Sequence, residues 1–346
     1  MMRTALVAGA NGLIGRRIAA HLHARGWHVI AVSRRAATVP AQQSVTADLT
    51  DADSARTAFA GIDRSVYVFY AARYDHPEGI AESVELNASM LRNLLDALQP
   101  GARIQHVNLM QGTKYYGHPG PIPLPVTEET PRGSRPTFYF AQEDLVRERA
   151  AREGWHWSAA RPHIFCDADP GHPRSIALVI AVYAAIKRER GEALDFPGSE
   201  KSFGARTQFT DTHLLARAAE WMATAPVCAN QAFNVVNGDA PRWCELWRGF
   251  AAIFGMRCGE PRDVPLAQYM ADKSESWDAL VRRHALAPTP LARIALWDYG
   301  DYVFRPEWDI MSSMNRARRC GFSERLNTQE MFARAFAGYR NAHIVP

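Results

Sequence analysis

Apolar positions alternate between two periods along the first half of the chain. Thr4-Ala-Leu-Val-Ala8 is a short run without a polar face, as a strand buried on both sides requires. Glycines follow. Leu13 to Arg25 then takes helical spacing, with Ile14, Ile18, His21 and Leu22 on one side. Trp27 to Val32 and Arg64 to Tyr70 read as strands, Val84 to Leu98 as a helix, and Arg103 to Leu109 as a strand ending near Gly112. Phe138 to Glu153 is helical, and Trp155 to Ala160 is strand-like, running into Arg161-Pro162. Alternation of this kind predicts an α/β fold built on a doubly wound, mostly parallel sheet with helices on both faces.

The second half reads as more helical. Ile176 to Ile186 is the longest apolar run and predicts a buried helix, since a bilayer span needs about 20 residues. Gly191 to Arg206, rich in glycine and charge, reads as a flexible loop. Thr212 to Ala225 is an amphipathic helix, Ala232 to Val236 a short strand, and Trp243 to Phe254 a helix rich in aromatic residues. Pro261 to Thr289 reads as a helical cap. These patterns predict a domain over 1–165, to which 205–240 returns, and a smaller, mainly helical C-terminal substrate or cap lobe over 166–204 and 241–346.

Composition narrows the picture. Of 346 residues, 47% are hydrophobic and 22% charged, as in an ordinary globular protein. A formal charge of +4, dispersed along the chain, does not argue for nucleic acid. The run Lys187-Arg188-Glu189-Arg190 is mixed in sign and reads as a solvated helix end. Cys166, Cys228, Cys244, Cys258 and Cys320 have no CxxC spacing, so they read as reduced thiols of a cytoplasmic protein. The histidines show no HxxxH or HExxH pattern, and no metal site is expected. The N-terminus enters a strand at once, without a leader pattern, and no membrane partner is expected.

The chemistry begins at Ala8-Gly-Ala-Asn-Gly-Leu-Ile-Gly15. Gly9 suits the tight turn after the strand, Gly12 lets the backbone approach a pyrophosphate, and Gly15 allows close packing of helix on sheet. Phosphates would sit at the helix N-terminus. This makes Gly9, Asn11, Gly12, Leu13, Ile14 and Gly15 candidate cofactor residues of a Rossmann-like domain. The second strand ends at Ser33-Arg34-Arg35, where an NAD site usually places an acid. An arginine pair suits a 2′-phosphate instead, so the expected cofactor is NADPH/NADP+. Asp48, beside Leu49, is placed to accept from the adenine amino group.

The YxxxK motif of short-chain dehydrogenases is absent: Tyr139 is followed four residues on by Glu143, and Phe140 by Asp144. Instead, Leu109-Met-Gln-Gly-Thr-Lys-Tyr-Tyr-Gly117 follows a strand end, and Thr137-Phe-Tyr-Phe-Ala-Gln-Glu-Asp144 opens the next helix. With Glu85 to Met90, Trp157 to Pro162, Val182 to Lys187, Phe233 to Asp239, Ser313 to Asn315 and Ile344 to Pro346, these segments resemble the progesterone 5β-reductase/iridoid synthase-like enzymes. Those enzymes are atypical extended short-chain dehydrogenases. The resemblance implies NADPH-dependent reduction of a C=C bond conjugated to a carbonyl. A tyrosine hydroxyl hydrogen-bonds the enolate and a lysine assists, here Lys114.

The family motif carries two adjacent tyrosines and uses the second, where this chain has Phe140. Adjacent helical residues project about 100° apart, so either Tyr139 serves or the slot holds no phenol. In the latter case Tyr115, Tyr116 or water would bond the enolate. The resemblance also places Pro162, Ile164 and Phe165 at the nicotinamide end and His163 in the pocket, with Tyr115, Tyr116 and Phe140 as further pocket candidates. Ile176 to Tyr183 and Met270 to Leu280 would wall a cavity for a small apolar carbonyl substrate. Two alternatives stay open: a carbonyl reductase or alcohol dehydrogenase, and a non-catalytic NADP(H)-binding sensor. A homodimer is left open as well.

Overall fold

The computed structural model describes residues 2–74, 83–117, 120–169 and 172–346. Strand β1 (Thr4–Ala8) is buried along its whole length because β2 (His28–Ser33) pairs on one edge and β4 (Ser65–Tyr70) on the other. With β3 (Gln43–Thr46), β5 (Arg103–Met110), β6 (His156–Pro162) and, far later, β10 (Gln231–Val235), they form a seven-stranded sheet in the order β10-β6-β5-β4-β1-β2-β3. Every pairing in it is parallel. Side chains alternate between the faces: Leu6 and Ala8 join one apolar cluster, Ala5 and Val7 the other.

Helices cover both faces. On one lie α2 (Ala52–Phe59), α3 (Val84–Leu98) and α4 (Phe138–Glu153); on the other α1 (Leu13–Ala24) and α7 (Thr212–Thr224). Their starts follow capping chemistry. Asp51, Ser83 and Thr137 accept from amides of the first turns of α2, α3 and α4, and Asp211 accepts from both His213 and Leu214. Gly154 closes α4 in the left-handed region at φ 78°.

The rest of the chain builds a second apolar centre. α5 (Ile176–Glu189) is buried from Ile176 through Lys187, as its unbroken apolar run predicts. Around it pack α8 (Trp243–Phe254), α9 (Leu266–Met270), α10 (Ser274–His284), α11 (Leu291–Ile294), α12 (Trp297–Phe304) and α14 (Thr328–Asn341). Short pieces complete the structure: β7 (Phe165–Cys166) pairs with β9 (Thr210–Asp211), while α6 (Glu200–Gly204) and α13 (Asn315–Arg319) are single turns. Trp247, Phe250, Phe332 and Phe336 interlock at its centre. Among the described residues no helix is long and apolar enough to cross a membrane.

Two expectations need correction here. Gly191 to Arg206 is not a loop throughout: β8 (Leu194–Phe196) pairs with β11 (Cys258–Pro261), and α6 follows. Leu194 and Phe196 are fully buried, and that burial outweighs the glycine and charge content around them. The run Lys187 to Arg190 is a solvated helix end only in part: Arg188 and Arg190 are exposed, but Lys187 is buried. Its side chain is 4% exposed, with the ammonium 2.7 Å from Glu192 and 2.9 Å from Asp195. Charge composition alone misses a buried cation whose partners lie just beyond the helix (Glu192) and in the next strand (Asp195).

Candidate active site

The glycine turn is a cradle that side chains would fill. Gly9 has φ 79°, and a Cβ there would lie 2.7 Å from the Ala71 carbonyl oxygen at the end of β4. A Cβ on Gly15 would lie 2.2 Å from the Gly9 carbonyl oxygen, so α1 approaches the turn only because position 15 is glycine. The Gly12 amide donates to the same oxygen at 2.8 Å. No side chain caps α1, and its first turn holds no acid. A helix start of this kind, opening at the carboxyl end of a parallel strand, fits a dinucleotide pyrophosphate.

Asn11 ties this turn to the arginine pair. Its amide donates to Ser33 Oγ at 3.2 Å and to the Ala36 carbonyl at 3.1 Å, and it accepts from the Thr38 amide at 3.0 Å. Arg34 and Arg35 stand exposed on the segment so anchored. Asp48 accepts from the amide and hydroxyl of Thr50, at 3.0 and 2.7 Å. Those bonds hold its pKa below the ordinary value, helped by the Arg34 charge. Leu49 is buried beneath it.

Beyond β5, Gly112 leads into a 3₁₀ turn, Thr113–Tyr116. Its side chains are held by distant elements. Thr113 Oγ1 pairs with His163 Nδ1 at 2.6 Å, Tyr115 donates to Glu143 at 3.0 Å, and Tyr116 donates to Asn234 at 2.6 Å. Lys114 reaches across to α12, its ammonium 5.6 Å from the centre of the Tyr302 ring. Tyr302 in turn stacks on Tyr299, whose ring also lies 5.1 Å from the Arg174 guanidinium.

At the start of α4 the two adjacent aromatics separate as helical geometry demands. Tyr139 is 8% exposed, and its hydroxyl lies beside Gly112, where a Cβ would stand 3.2 Å from it and 3.5 Å from the Pro162 carbonyl oxygen. The phenol is thus at the carboxyl ends of β5 and β6. Phe140 turns the other way, packing edge-on against Tyr115 at 5.2 Å beneath the Arg132 guanidinium at 5.0 Å. Tyr115 and Tyr116 are equally committed: both are buried, with hydroxyls bonded within the protein. Tyr115 and Tyr116, the fallback donors should Tyr139 not serve, turn their hydroxyls to Glu143 and Asn234 here. Burial also pushes the Tyr116 hydroxyl up to about 12, against the pull of Arg161.

Behind the turn lies a buried charged network with no local sequence signal. Glu143 occupies the place four residues after Tyr139 where YxxxK enzymes carry lysine. Its side chain is 3% exposed and accepts from Gln111 at 3.0 Å, Arg161 at 2.9 Å and Tyr115 at 3.0 Å. Burial pushes its carboxyl up, but Arg161 and these donors outweigh that and hold its pKa below the ordinary range. Gln111 also donates to the Tyr139 backbone carbonyl.

At the carboxyl end of β6, Pro162 is the last strand residue, the Ile164 carbonyl accepts from the Thr210 amide, and Phe165 begins β7. Just beyond it, Asp167 receives a bidentate pair from Arg17 of α1 at 2.6 and 2.5 Å. Side chains that carry no local sequence signal stand near these elements: Arg73, whose guanidinium lies 5.7 Å from the Phe138 ring, and Arg174, Tyr299 and Tyr302, linked to Lys114 through ring contacts. A cavity of about 600 Å³ lies elsewhere, lined by Tyr183, Lys187, Asp195, Arg262 and Tyr269. Its charges neutralise each other, and it is away from the strand ends, so volume is a poorer guide here than topology.

Known proteins share this architecture. Residues 42–346 match the family described as a PRISE-like Rossmann-fold domain. The chain is 30% identical over 365 residues to an (S)-8-oxocitronellyl enol synthase of Camptotheca acuminata, covering 99% of this chain and 93% of that protein. It is 31% identical over 363 residues to a 3-oxo-Delta(4,5)-steroid 5-beta-reductase of Arabidopsis thaliana, with the same two coverages, 99% and 93%. The structure of RMD from Pseudomonas aeruginosa complexed with NADPH aligns with a TM-score of 0.67 at 18% identity, over 99% of this chain and 98% of that one. At that identity the last likeness concerns the fold.

Proposed function

The chain belongs to the PRISE-like Rossmann-fold family of oxidoreductases, and from that membership we propose that it reduces the C=C bond of an enone or enal with NADPH. Cofactor binding falls to 1–165 with 205–240, and substrate enclosure to 166–204 and 241–346. Gly9, Asn11, Gly12, Leu13, Ile14 and Gly15 receive the pyrophosphate. Ser33, Arg34 and Arg35 receive the 2′-phosphate, and Asp48 and Leu49 the adenine. Pro162, Ile164 and Phe165 flank the nicotinamide. When bound, NADPH supplies a hydride to the β-carbon of the substrate.

Negative charge then develops on the carbonyl oxygen as an enolate. Tyr139 donates a hydrogen bond to that oxygen, and the Lys114 ammonium stabilises the same charge. A proton from solvent completes the α-carbon. The substrate class this reading implies is a small apolar carbonyl compound. The observation that carries this reading is the Tyr139 hydroxyl beside Gly112 and the Pro162 carbonyl, with Lys114 on the turn two residues past Gly112. Glu143 at the YxxxK lysine position weighs against carbonyl reduction, which relies on a cation there to tune the phenol.

The test is NADPH oxidation with cyclohexenone and a steroid enone, using simple ketones as controls. Turnover confined to the enones supports the reading. Turnover of the ketones favours carbonyl reduction, and tight NADPH binding without turnover favours a sensor.

A further inference from the structure

We infer that Tyr115, Glu143 and Arg161 form a buried brace that sets Lys114 at a fixed place relative to Tyr139, with Glu143 as a positioning residue. The inference rests on the enone-reduction reading above. The Lys114 turn is short, and a four-residue 3₁₀ segment has little rigidity of its own. Its rigidity has to come from side chains, and two of the four end on one charged cluster. Tyr115 donates to Glu143 at 3.0 Å, and its ring lies face-on to the Arg161 guanidinium, 3.4 Å from centre to Cζ. The Tyr116 hydroxyl accepts from Arg161 at 3.2 Å while it donates to Asn234.

The same cluster holds the other catalytic element. Glu143 belongs to the helix that carries Tyr139, one turn further on. Gln111 bridges the two, donating to Glu143 at 3.0 Å and to the Tyr139 carbonyl at 3.3 Å, and it accepts from Arg161 at 3.0 Å. The Lys114 turn and the start of α4 are thereby referred to one pair of buried charges, each with a side chain 3% exposed. Buried ion pairs are poor evidence for stability, since an apolar replacement of the same shape often does as well. Convergence of both catalytic elements on this pair supplies a role that stability does not.

Tyr115→Phe tests the brace with the Arg161–Glu143 pair left whole: it keeps the ring and removes one hydroxyl, with its bonds to Glu143 at 3.0 Å and from Arg132 Nε at 3.1 Å. The expected result is a fall of about 10-fold in kcat for the enone, with its KM and the Kd for NADPH changed less than about 2-fold and the melting temperature nearly unchanged. Glu143→Gln should cost more in kcat, along with stability, since it leaves Arg161 uncompensated. A readout independent of turnover is the labelling rate of Lys114 by an amine-reactive ester, read by peptide mass against the exposed Lys201 in the NADP+-loaded protein. Tyr115→Phe should raise that ratio at least about 3-fold. An unchanged kcat with an unchanged ratio overturns the brace. If the wild type reduces no enone, the function fails while the labelling ratio still decides the brace.

Discussion

Gly112→Ala probes the Tyr139 hydroxyl through one added methyl group. The glycine sits at φ −177° and ψ 173°, extended backbone that alanine adopts without strain. The new Cβ would stand 3.2 Å from the Tyr139 hydroxyl, 3.5 Å from the Pro162 carbonyl oxygen and 3.6 Å from Tyr139 Cε2. Only the first contact is tighter than ordinary carbon packing at about 3.5–4.0 Å, so the phenol must retreat by roughly 0.3 Å. A displacement of about 1 Å costs on the order of 100-fold in rate, so about 0.3 Å should lower kcat roughly 4-fold. Folding should barely change, because the loss of chain entropy in the unfolded state offsets the crowding. Steady-state kinetics with a reactive enone, beside a thermal melt, make the comparison. In a Tyr139→Phe background the same alanine should have no further effect, since the atom it crowds is gone. An equal loss from Gly112→Ala in both backgrounds would refute the assignment of that hydroxyl to the reaction.

Three more outcomes are expected. Arg34→Ala with Arg35→Ala should weaken NADPH about 10- to 100-fold while NADH binding barely moves, because a charge-assisted bond contributes about 1.5–3 kcal/mol; equal losses by titration calorimetry would remove the 2′-phosphate contact. Gly15→Ala should abolish dinucleotide binding, since its Cβ would meet the Gly9 carbonyl at 2.2 Å and neither backbone can yield cheaply; retained affinity in the same calorimeter would contradict the cradle. His106 is buried beside Ser158 at 2.7 Å, and burial, with His156 adding, lowers its pKa to about 3. A folded value below the unfolded one, about 6.5, means stability is complete above pH 6.5 and is lost as pH falls toward 3. Urea denaturation should lose about 2 kcal/mol between pH 7 and pH 5, and His106→Asn should flatten that slope.

The sequence displays whatever depends on neighbours along the chain. β1, the glycine turn and α1 are legible because the buried strand, the turn and the helix each impose a local pattern, and capping by Ser83, Thr137 and Asp211 is equally local. Residues that meet from distant segments leave no such mark. Arg17 and Asp167 are 150 positions apart, and Tyr302 reaches Lys114 from the far end of the chain. The buried pairs of Lys187 and Glu143 look like surface charge until their partners are in place. The Tyr139–Phe140 pair shows the boundary well. Helical geometry says that the two rings diverge, but only the packing of Phe140 on Tyr115 shows which of them turns toward the strand ends.

The central claim is that Tyr139 is the phenol of an NADPH-dependent enone reduction. The direct measurement is single-turnover reduction of an enone by the NADPH-loaded wild type and the Tyr139→Phe variant, with the Kd for NADPH determined for both. Loss of one oxyanion donor should lower the rate about 100- to 1000-fold at an unchanged Kd. An undiminished rate in the variant would contradict the assignment.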